Sequence, residues 1–292
     1  MRGNADAQEL IAPGSLDAVL NLMANEPGTW TPIAGGTELM VAHAAGNLGA
    51  KKLVSLWGIK DLRHVEAQKA SVTIGAGATF MDLRQTRVIG EDFPLLSTAA
   101  SWIGSIANQS RATLGGNLVN GSPAADSSPA LFAYDAEVEL ISVRGRRRIA
   151  YAEFHTGYKQ NKLAADELLF AIHLPRRFGG HKQYLRKVGT RRAMAIAKVA
   201  LGATVRIEGG AMREVRLGAA SLAPFPTRLY RTEAALEGRA LTAETICQAR
   251  QALLEEARPI DDIRSTAEYR KRVAANLLEE FLRECRTGVE ER

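Results

Sequence analysis

Thr113-Leu114-Gly115-Gly116-Asn117-Leu118-Val119-Asn120-Gly121-Ser122-Pro123-Ala124-Ala125-Asp126 is the stretch on which the reading of this chain turns. Paired glycines let a backbone approach a ligand closely, because no Cβ stands in the way. Around them Thr113, Asn117, Asn120 and Ser122 supply small hydrogen-bonding groups, and Asp126 adds an acceptor of the kind that binds a sugar hydroxyl. The glycine-, serine- and proline-rich composition runs on to Pro129 and predicts a long loop. Loops of that length that stay rich in small apolar residues are uncommon and are often functional.

A second pair lies upstream. Ile33-Ala34-Gly35-Gly36-Thr37-Glu38-Leu39 follows a short strand predicted over Trp30 to Ala34 and leads into a helical stretch. The free N–H groups at a helix start, with the helix dipole, make such a turn an anion site. No Lys or Arg lies between Trp30 and Ala50, so a phosphate here would rest on N–H groups and the Thr37 hydroxyl. That argues against a P-loop nucleotidase, which needs its lysine. A plain strand–helix turn is the competing reading of this pair. Taken together, two glycine cradles separated by β-rich sequence suit a long dinucleotide with a polyhydroxylated middle. Gly75-Ala76-Gly77 opens like a nicotinamide fingerprint, but Phe80 stands where the third glycine belongs.

Outward from these turns the pattern is mixed. Ser15 is placed to cap a helix with an apolar face of Leu16, Val19, Leu20 and Met23, and Lys52–Leu56 reads as a strand. Further strands are expected over Ser71–Ala76, Glu137–Val143 and Leu168–Leu174, and helices over about Phe80–Arg87 and Pro94–Gly104. Arg144–Arg148 reads as a charged hairpin turn, and Lys187-Val188-Gly189-Thr190-Arg191-Arg192 as a basic segment after a strand, able to touch phosphates or an electron-rich ring. In the last third, Ala197–Ile207 and Val215–Ala220 pair through Glu208-Gly209-Gly210, followed by helices over Ala243–Ala257 and Tyr269–Cys285. The expected divisions give a piece over residues 1–60, a second over 61–177 and a third over 178–292.

Composition narrows the function classes. The 292 residues are 46% apolar and 24% charged, which places the chain among globular proteins rather than disordered or fibrous ones. A net charge of +6 is a mild excess, and Lys and Arg are spread along the chain with only 6% aromatics, which disfavours a nucleic-acid binder. No apolar run is long enough for a membrane span, and Met1-Arg2-Gly3-Asn4-Ala5-Asp6 leads into no hydrophobic signal core, so a soluble cytoplasmic protein is expected. Cys247 and Cys285 are the only cysteines, both expected to be buried; two form no zinc or iron–sulfur ligand set. His43, His64, His155, His173 and His181 show no ligand spacing, and there is no nucleophile elbow. Redox chemistry would therefore need an organic cofactor or another chain.

On these residues the chain resembles the FAD-binding medium subunit of molybdenum hydroxylases, the xanthine dehydrogenase, carbon monoxide dehydrogenase and aldehyde oxidase family. Ala34-Gly35-Gly36-Thr37-Glu38-Leu39 looks like the first flavin loop, and Thr113-Leu114-Gly115-Gly116-Asn117 with Asp126 like the second. Gly157-Tyr158-Lys159, Lys187-Val188-Gly189-Thr190-Arg191 and Ala220-Ser221-Leu222-Ala223-Pro224 follow in the family's order. The resemblance implies an α+β fold: a two-part PCMH-type FAD-binding domain (a small α/β piece and a larger α+β piece), then a C-terminal antiparallel sheet with helices. It implies that Pro32, Ile33, Ala34, Gly35, Gly36, Thr37, Glu38 and Leu39 hold the pyrophosphate. Thr113, Leu114, Gly115, Gly116 and Asn117 would flank the pyrophosphate and ribityl chain, and Asp126 would bind hydroxyls or phosphate-side groups. Ile103 and Leu169 would make apolar cofactor contacts, and Lys187 would stand near the flavin.

No His or Cys lies in either loop, so FAD is expected to be noncovalent. By resemblance, the molybdopterin and [2Fe–2S] clusters belong to partner subunits, and this chain passes electrons to NAD, oxygen, a quinone or another acceptor. One branch of the family, the benzoyl-CoA reductases, carries an extra cysteine-ligated cluster, for which two distant cysteines do not suffice. The acidic loop of the animal enzymes is replaced here by Arg191-Arg192-Ala193-Met194-Ala195, which leaves the choice of acceptor open. A stand-alone flavin-dependent oxidoreductase of the same superfamily is the alternative; it needs substrate residues of its own, and none is assigned.

Overall fold

The computed structural model describes residues 8–191 and 193–290; Met1–Ala7, Arg192 of the basic segment and the last two residues lie outside the described residues. The chain opens with β1 (Glu9–Ile11), α1 (Leu16–Asn25), β2 (Trp30–Ile33), α2 (Leu39–Ala44) and β3 (Lys52–Ser55), whose strands form a parallel sheet in the order β1-β3-β2. Ser15 starts α1 by accepting the Ala18 N–H at 3.2 Å, and Leu16, Val19, Leu20 and Met23 are its buried face. The parallel arrangement sets the C-terminal ends of β2 and β3 side by side. That is the edge at which open α/β sheets bind ligands.

Next come β4 (Val65–Ala67), β5 (Ser71–Gly75) and six short helices: α3 (Phe80–Gln85), α4 (Arg87–Asp92), α5 (Pro94–Ser101), α6 (Ile106–Gln109), α7 (Leu114–Asn120) and α8 (Ser128–Ala133). The chain then returns through β6 (Glu137–Ser142), β7 (Gly145–Ala150), the small hairpin of β8 (His155–Gly157) and β9 (Gln160–Asn161), and β10 (Leu168–Pro175). The five-stranded sheet is antiparallel, in the order β4-β5-β10-β6-β7. Alternation puts Val72, Ile74, Val138, Leu140, Ile172 and Leu174 on the face that packs against the helices, with Phe80, Leu96, Leu131 and Tyr134. Ile141, Leu168 and Phe170 pack instead with α1 and Trp30, so the first two pieces share a hydrophobic cluster.

The last part is β11 (Lys182–Val188), β12 (Val199–Glu208), β13 (Ala211–Ala220) and β14 (Thr227–Arg228), an antiparallel sheet in sequence order, followed by α9 (Tyr230–Leu236), α10 (Ala243–Glu256) and α11 (Ala267–Glu290). Helix α11 buries Leu278, Phe281, Leu282 and Cys285 in the core of this part. The sheet also carries two bare positions. A Cβ on Gly202 would lie 2.6 Å from the Pro129 carbonyl oxygen, and one on Gly218 would lie 2.5 Å from the Phe132 Cβ. Only glycine lets α8 rest its backbone directly on β12 and β13. Thr204 Oγ1 fixes that contact by donating to the Ala133 carbonyl at 2.9 Å, out of solvent. Beyond α8, the Asp135 carboxylate accepts from Arg216 Nε at 2.7 Å and from Arg228 Nη1 at 2.5 Å.

The architecture is the α+β arrangement expected, with four local corrections. Residues 113–129 are not one loop: Thr113 caps α7 by accepting the Gly116 N–H at 3.0 Å, and Pro129 lies inside α8. Arg144–Arg148 is not just a turn, because Gly145–Ala150 is the edge strand β7, whose arginines pair with Glu139 and Glu167. The stretch from Phe80 to Arg87 breaks at Thr86 into α3 and α4. Cys247 is exposed on α10, although Cys285 is buried.

Candidate cofactor site

The first glycine turn sits at the C-terminal end of β2, where Pro32 and Ile33 pair with Val54 and Ser55 of β3. Ala34–Thr37 form the turn, Glu38 is the residue before α2, and Leu39 begins that helix. The two glycines are required for different reasons. Gly36 has φ +76°, a left-handed conformation that L residues adopt at a cost. A Cβ on Gly35 would lie 1.8 Å from the Arg111 carbonyl oxygen. The first turn therefore presses directly on the backbone two residues before Thr113, and the two loops meet.

In the second loop the glycines also divide their work. A Cβ on Gly115 would come within 2.5 Å of the Ala76 Cβ, and its N–H donates to the Ala76 carbonyl at 2.9 Å, so this glycine seats α7 on the end of β5. Gly116 is exposed, and a Cβ there would approach only Thr113 Oγ1, at 2.9 Å. It is the bare position that faces outward. Leu114 is buried in the core, and Asn117 is half-buried and accepts a hydrogen bond from Ser127 Oγ at 2.7 Å. Asn117 is thereby held next to the Asp126 segment.

Asp126 and Lys187 form a buried ion pair, with Lys187 Nζ donating to Asp126 Oδ2 at 2.6 Å and both side chains 11% exposed. Lys187 reaches Asp126 from β11, and its Nζ also lies 3.5 Å from the Trp102 carbonyl oxygen, next to Ile103. Burial raises the Asp126 carboxyl to about 6, and the nearby ammonium offsets only part of that rise. The lysine expected to touch phosphates or a ring is thus engaged by a carboxylate. Asp126 Oδ1 is buried with no hydrogen-bond partner. Orphaned buried acceptors are costly, so this oxygen fits a ligand that brings its own donor, as a ribityl or ribose hydroxyl does. With bare Gly116 next to Asn117, which is tied to the residue after Asp126, the residues present fit FAD. Ile103 is partly buried against the large core, and Leu169 is buried within that core on β10.

Charged and aromatic contacts that the sequence did not assign complete the region. Lys159 Nζ donates to Glu38 Oε1 at 3.2 Å, joining the Gly157-Tyr158-Lys159 segment to the first loop. The Arg111 guanidinium stacks over the Trp57 ring at 3.8 Å. A search for cations limited to positions 30–50 misses both, since they arrive from distant sequence. Arg111, two positions before Thr113, was the one within reach of a wider window. Beneath the second loop, Ser128 Oγ, Tyr151 Oη and His155 Nε2 form a buried chain at 2.6 and 3.2 Å, and burial lowers the His155 imidazole to about 4.

Comparison with known proteins identifies the family. Residues 6–177 match the FAD binding domain in molybdopterin dehydrogenase, and residues 183–285 match the CO dehydrogenase flavoprotein C-terminal domain. Over 273 residues the chain is 29% identical to the xanthine dehydrogenase FAD-binding subunit of Escherichia coli O157:H7, covering 93% of each chain. It is 25% identical over 278 residues to the carbon monoxide dehydrogenase medium chain of Hydrogenophaga pseudoflava, covering 94% of this chain and 95% of that one. The fold superposes on carbon monoxide dehydrogenase from Hydrogenophaga pseudoflava with a TM-score of 0.91, at 26% identity and 96% coverage of both chains. Both glycine turns, Asp126 and the bare Gly116 lie inside the matched flavin domain, and Lys187 opens the matched C-terminal domain. The chain therefore belongs to the family of FAD-binding oxidoreductase subunits of molybdenum hydroxylase-type dehydrogenases.

Proposed function

We propose that this chain is the electron outlet of a molybdenum hydroxylase, taking electrons from a [2Fe–2S] small subunit served by a molybdopterin large subunit and passing them to an external acceptor such as NAD, oxygen or a quinone. The observation that carries the reading is the match of residues 6–177, which hold both glycine turns, to the FAD domain of molybdopterin dehydrogenases. The chain divides near residues 60 and 178 in this reading. FAD, when bound, supplies the redox chemistry between the iron–sulfur clusters and the acceptor.

Each residue has a binding or electrostatic task. Pro32–Leu39 would hold the pyrophosphate through backbone N–H groups and the Thr37 hydroxyl, and Thr113–Asn117 would flank the pyrophosphate and ribityl chain, with exposed Gly116 allowing close approach. Asp126 would use its unpartnered Oδ1 to accept from a cofactor hydroxyl while Oδ2 keeps Lys187 in place. Lys187 brings a cation toward the site of electron uptake, where negative charge develops. Ile103 and Leu169 would exclude water from the cofactor. Neither glycine turn holds a His or Cys, which supports noncovalent attachment. With only two cysteines in the chain, iron–sulfur clusters must be held by another chain. No helix among the described residues is long and apolar enough to cross a membrane.

The visible spectrum of the purified chain, followed by identification of the cofactor released on heating, tests the reading. A flavin spectrum with FAD released intact is the expected result, and Gly116→Asp should abolish retention by setting a carboxylate against the cofactor. A colourless chain that takes up no added FAD would refute it.

A further inference from the structure

The first glycine turn carries no basic residue of its own, yet the backbone it packs against belongs to an arginine, Arg111, that no carboxylate among the described residues pairs with. The Arg111 carbonyl packs against Gly35, while its guanidinium carbon lies over the Trp57 ring, 3.8 Å from the centroid. Trp57 follows β3, and the Leu56 N–H donates to the Ile33 carbonyl at 2.8 Å, so the indole stands at the same sheet edge as the turn. Arg63 approaches the same ring at 5.4 Å, but its guanidinium is already occupied by both oxygens of Asp82, at 3.1 and 3.3 Å. Lys159, which reaches the residue before α2, is paired there with Glu38. Among the described residues no carboxylate pairs with Arg111.

Stacking on an aromatic face restrains an arginine while leaving its N–H edge free to donate. A planar fork held in this way suits a phosphate, which it can contact through two parallel hydrogen bonds. With Lys159 paired to Glu38, Arg111 is a cation among the described residues left to balance an anion at Gly35–Thr37. We propose that Arg111, braced by Trp57, is the charged contact for the pyrophosphate of FAD. The inference rests on the flavin reading above and adds to it a residue outside both glycine turns. Arg111 binds and orients; it takes no part in electron transfer.

Binding of FAD and of riboflavin, which lacks the phosphates, to the flavin-free chain separates the possibilities. Arg111→Gln should raise the dissociation constant for FAD by roughly ten- to a hundredfold, the range for a lost charge-assisted hydrogen bond, and weaken its dependence on salt. Riboflavin affinity should stay within about twofold, which also reports that the variant is folded. Trp57→Leu should reduce FAD affinity in the same direction by freeing the arginine. Unchanged FAD affinity in Arg111→Gln overturns the proposal. An equal loss of FAD and riboflavin overturns it too, because the role is then structural. If the unmodified chain binds neither flavin, the failure belongs to the flavin reading itself, and the proposal falls with it.

Discussion

Removing the ammonium of Lys187 while leaving its carboxylate partner is the most informative perturbation of the site. In Lys187→Met the aliphatic stem is roughly preserved, but Asp126 loses a donor at 2.6 Å in a place where only 11% of its side chain meets solvent. An unpaired charge there is expensive, and the carboxyl escapes the cost by taking up a proton. Burial already raises its pKa from 3.8 to about 6 with the lysine in place, so without the lysine the value must rise further. The sign follows from linkage. A carboxyl whose native pKa lies above the unfolded one favours the fold most at low pH, and that contribution is lost as pH climbs to the native value. In the unmodified chain the loss is complete by about pH 6. In the variant it continues above about pH 6 at up to about 1.4 kcal/mol per pH unit, for as far as the raised value extends. Urea denaturation of the flavin-free proteins at about pH 5, 6, 7 and 8 measures this. The two proteins should differ little at the acid end and diverge steadily above it, and Asp126→Asn in the Lys187→Met background should abolish the divergence. A stability difference that stays constant across the series would show that the carboxyl is not the group being titrated, and the buried-pair argument would fail.

The glycines should separate folding from binding. Gly35→Ala drives a Cβ to 1.8 Å from a carbonyl oxygen and is expected to cost at least 1–3 kcal/mol in a urea melt, whereas Gly116→Ala should leave the melt within about 1 kcal/mol and still lower FAD affinity. Equal losses of stability in the two variants would contradict the assigned division of work. His155 has its native value lowered by burial to about 4, so its contribution to stability is present above about pH 6.5 and is lost as pH falls toward 4. His155→Gln should flatten that acid limb by on the order of 2 kcal/mol in melts at stepped pH, and an unaltered limb would exclude the imidazole as its source. Asp135 has φ +48° and gathers arginines from β13 and β14, so Asp135→Asn keeps the turn preference but removes the charge. A loss of about 2–3 kcal/mol is expected in urea denaturation, and a change under about 0.5 kcal/mol would mean that the arginines find other partners.

Much of the fold was legible in local pattern. The apolar periods of Leu16–Met23 and Val273–Leu282 describe buried helix faces, and the alternation in Glu137–Val143 marks a strand that the structure ends one residue earlier. The misreadings share a physical cause. Glycine and serine at 113–129 read as a loop because intrinsic propensity opposes a helix there, but Thr113 caps α7 and contact with Ala76 selects the conformation. The arginines of 144–148 read as a turn because the partners that let β7 hold them, Glu139 and Glu167, lie elsewhere in sequence. In the site, the glycine turns and Asp126 were visible as motifs. The Asp126–Lys187 pair, 61 positions apart, and the stacking of Arg111 on Trp57 were not, because nothing local specifies a contact across parts of the fold.

The bare strip at Gly202 and Gly218 bears on how accurately the site is made. Helix α8 begins two residues after Asp126, and β11, which carries Lys187, pairs with β12 so that Lys187 stands opposite Ala200, two positions from Gly202. The backbones that carry the carboxylate and the ammonium are therefore set against each other by main chain lying on main chain. Tolerances in such a joint are those of bond geometry rather than of rotamers. The C-terminal part consequently acts as a jig for a site whose glycine turns lie in the flavin domain. Trimming the chain to residues 6–177 would keep both turns and lose the alignment that brings a cation to Asp126.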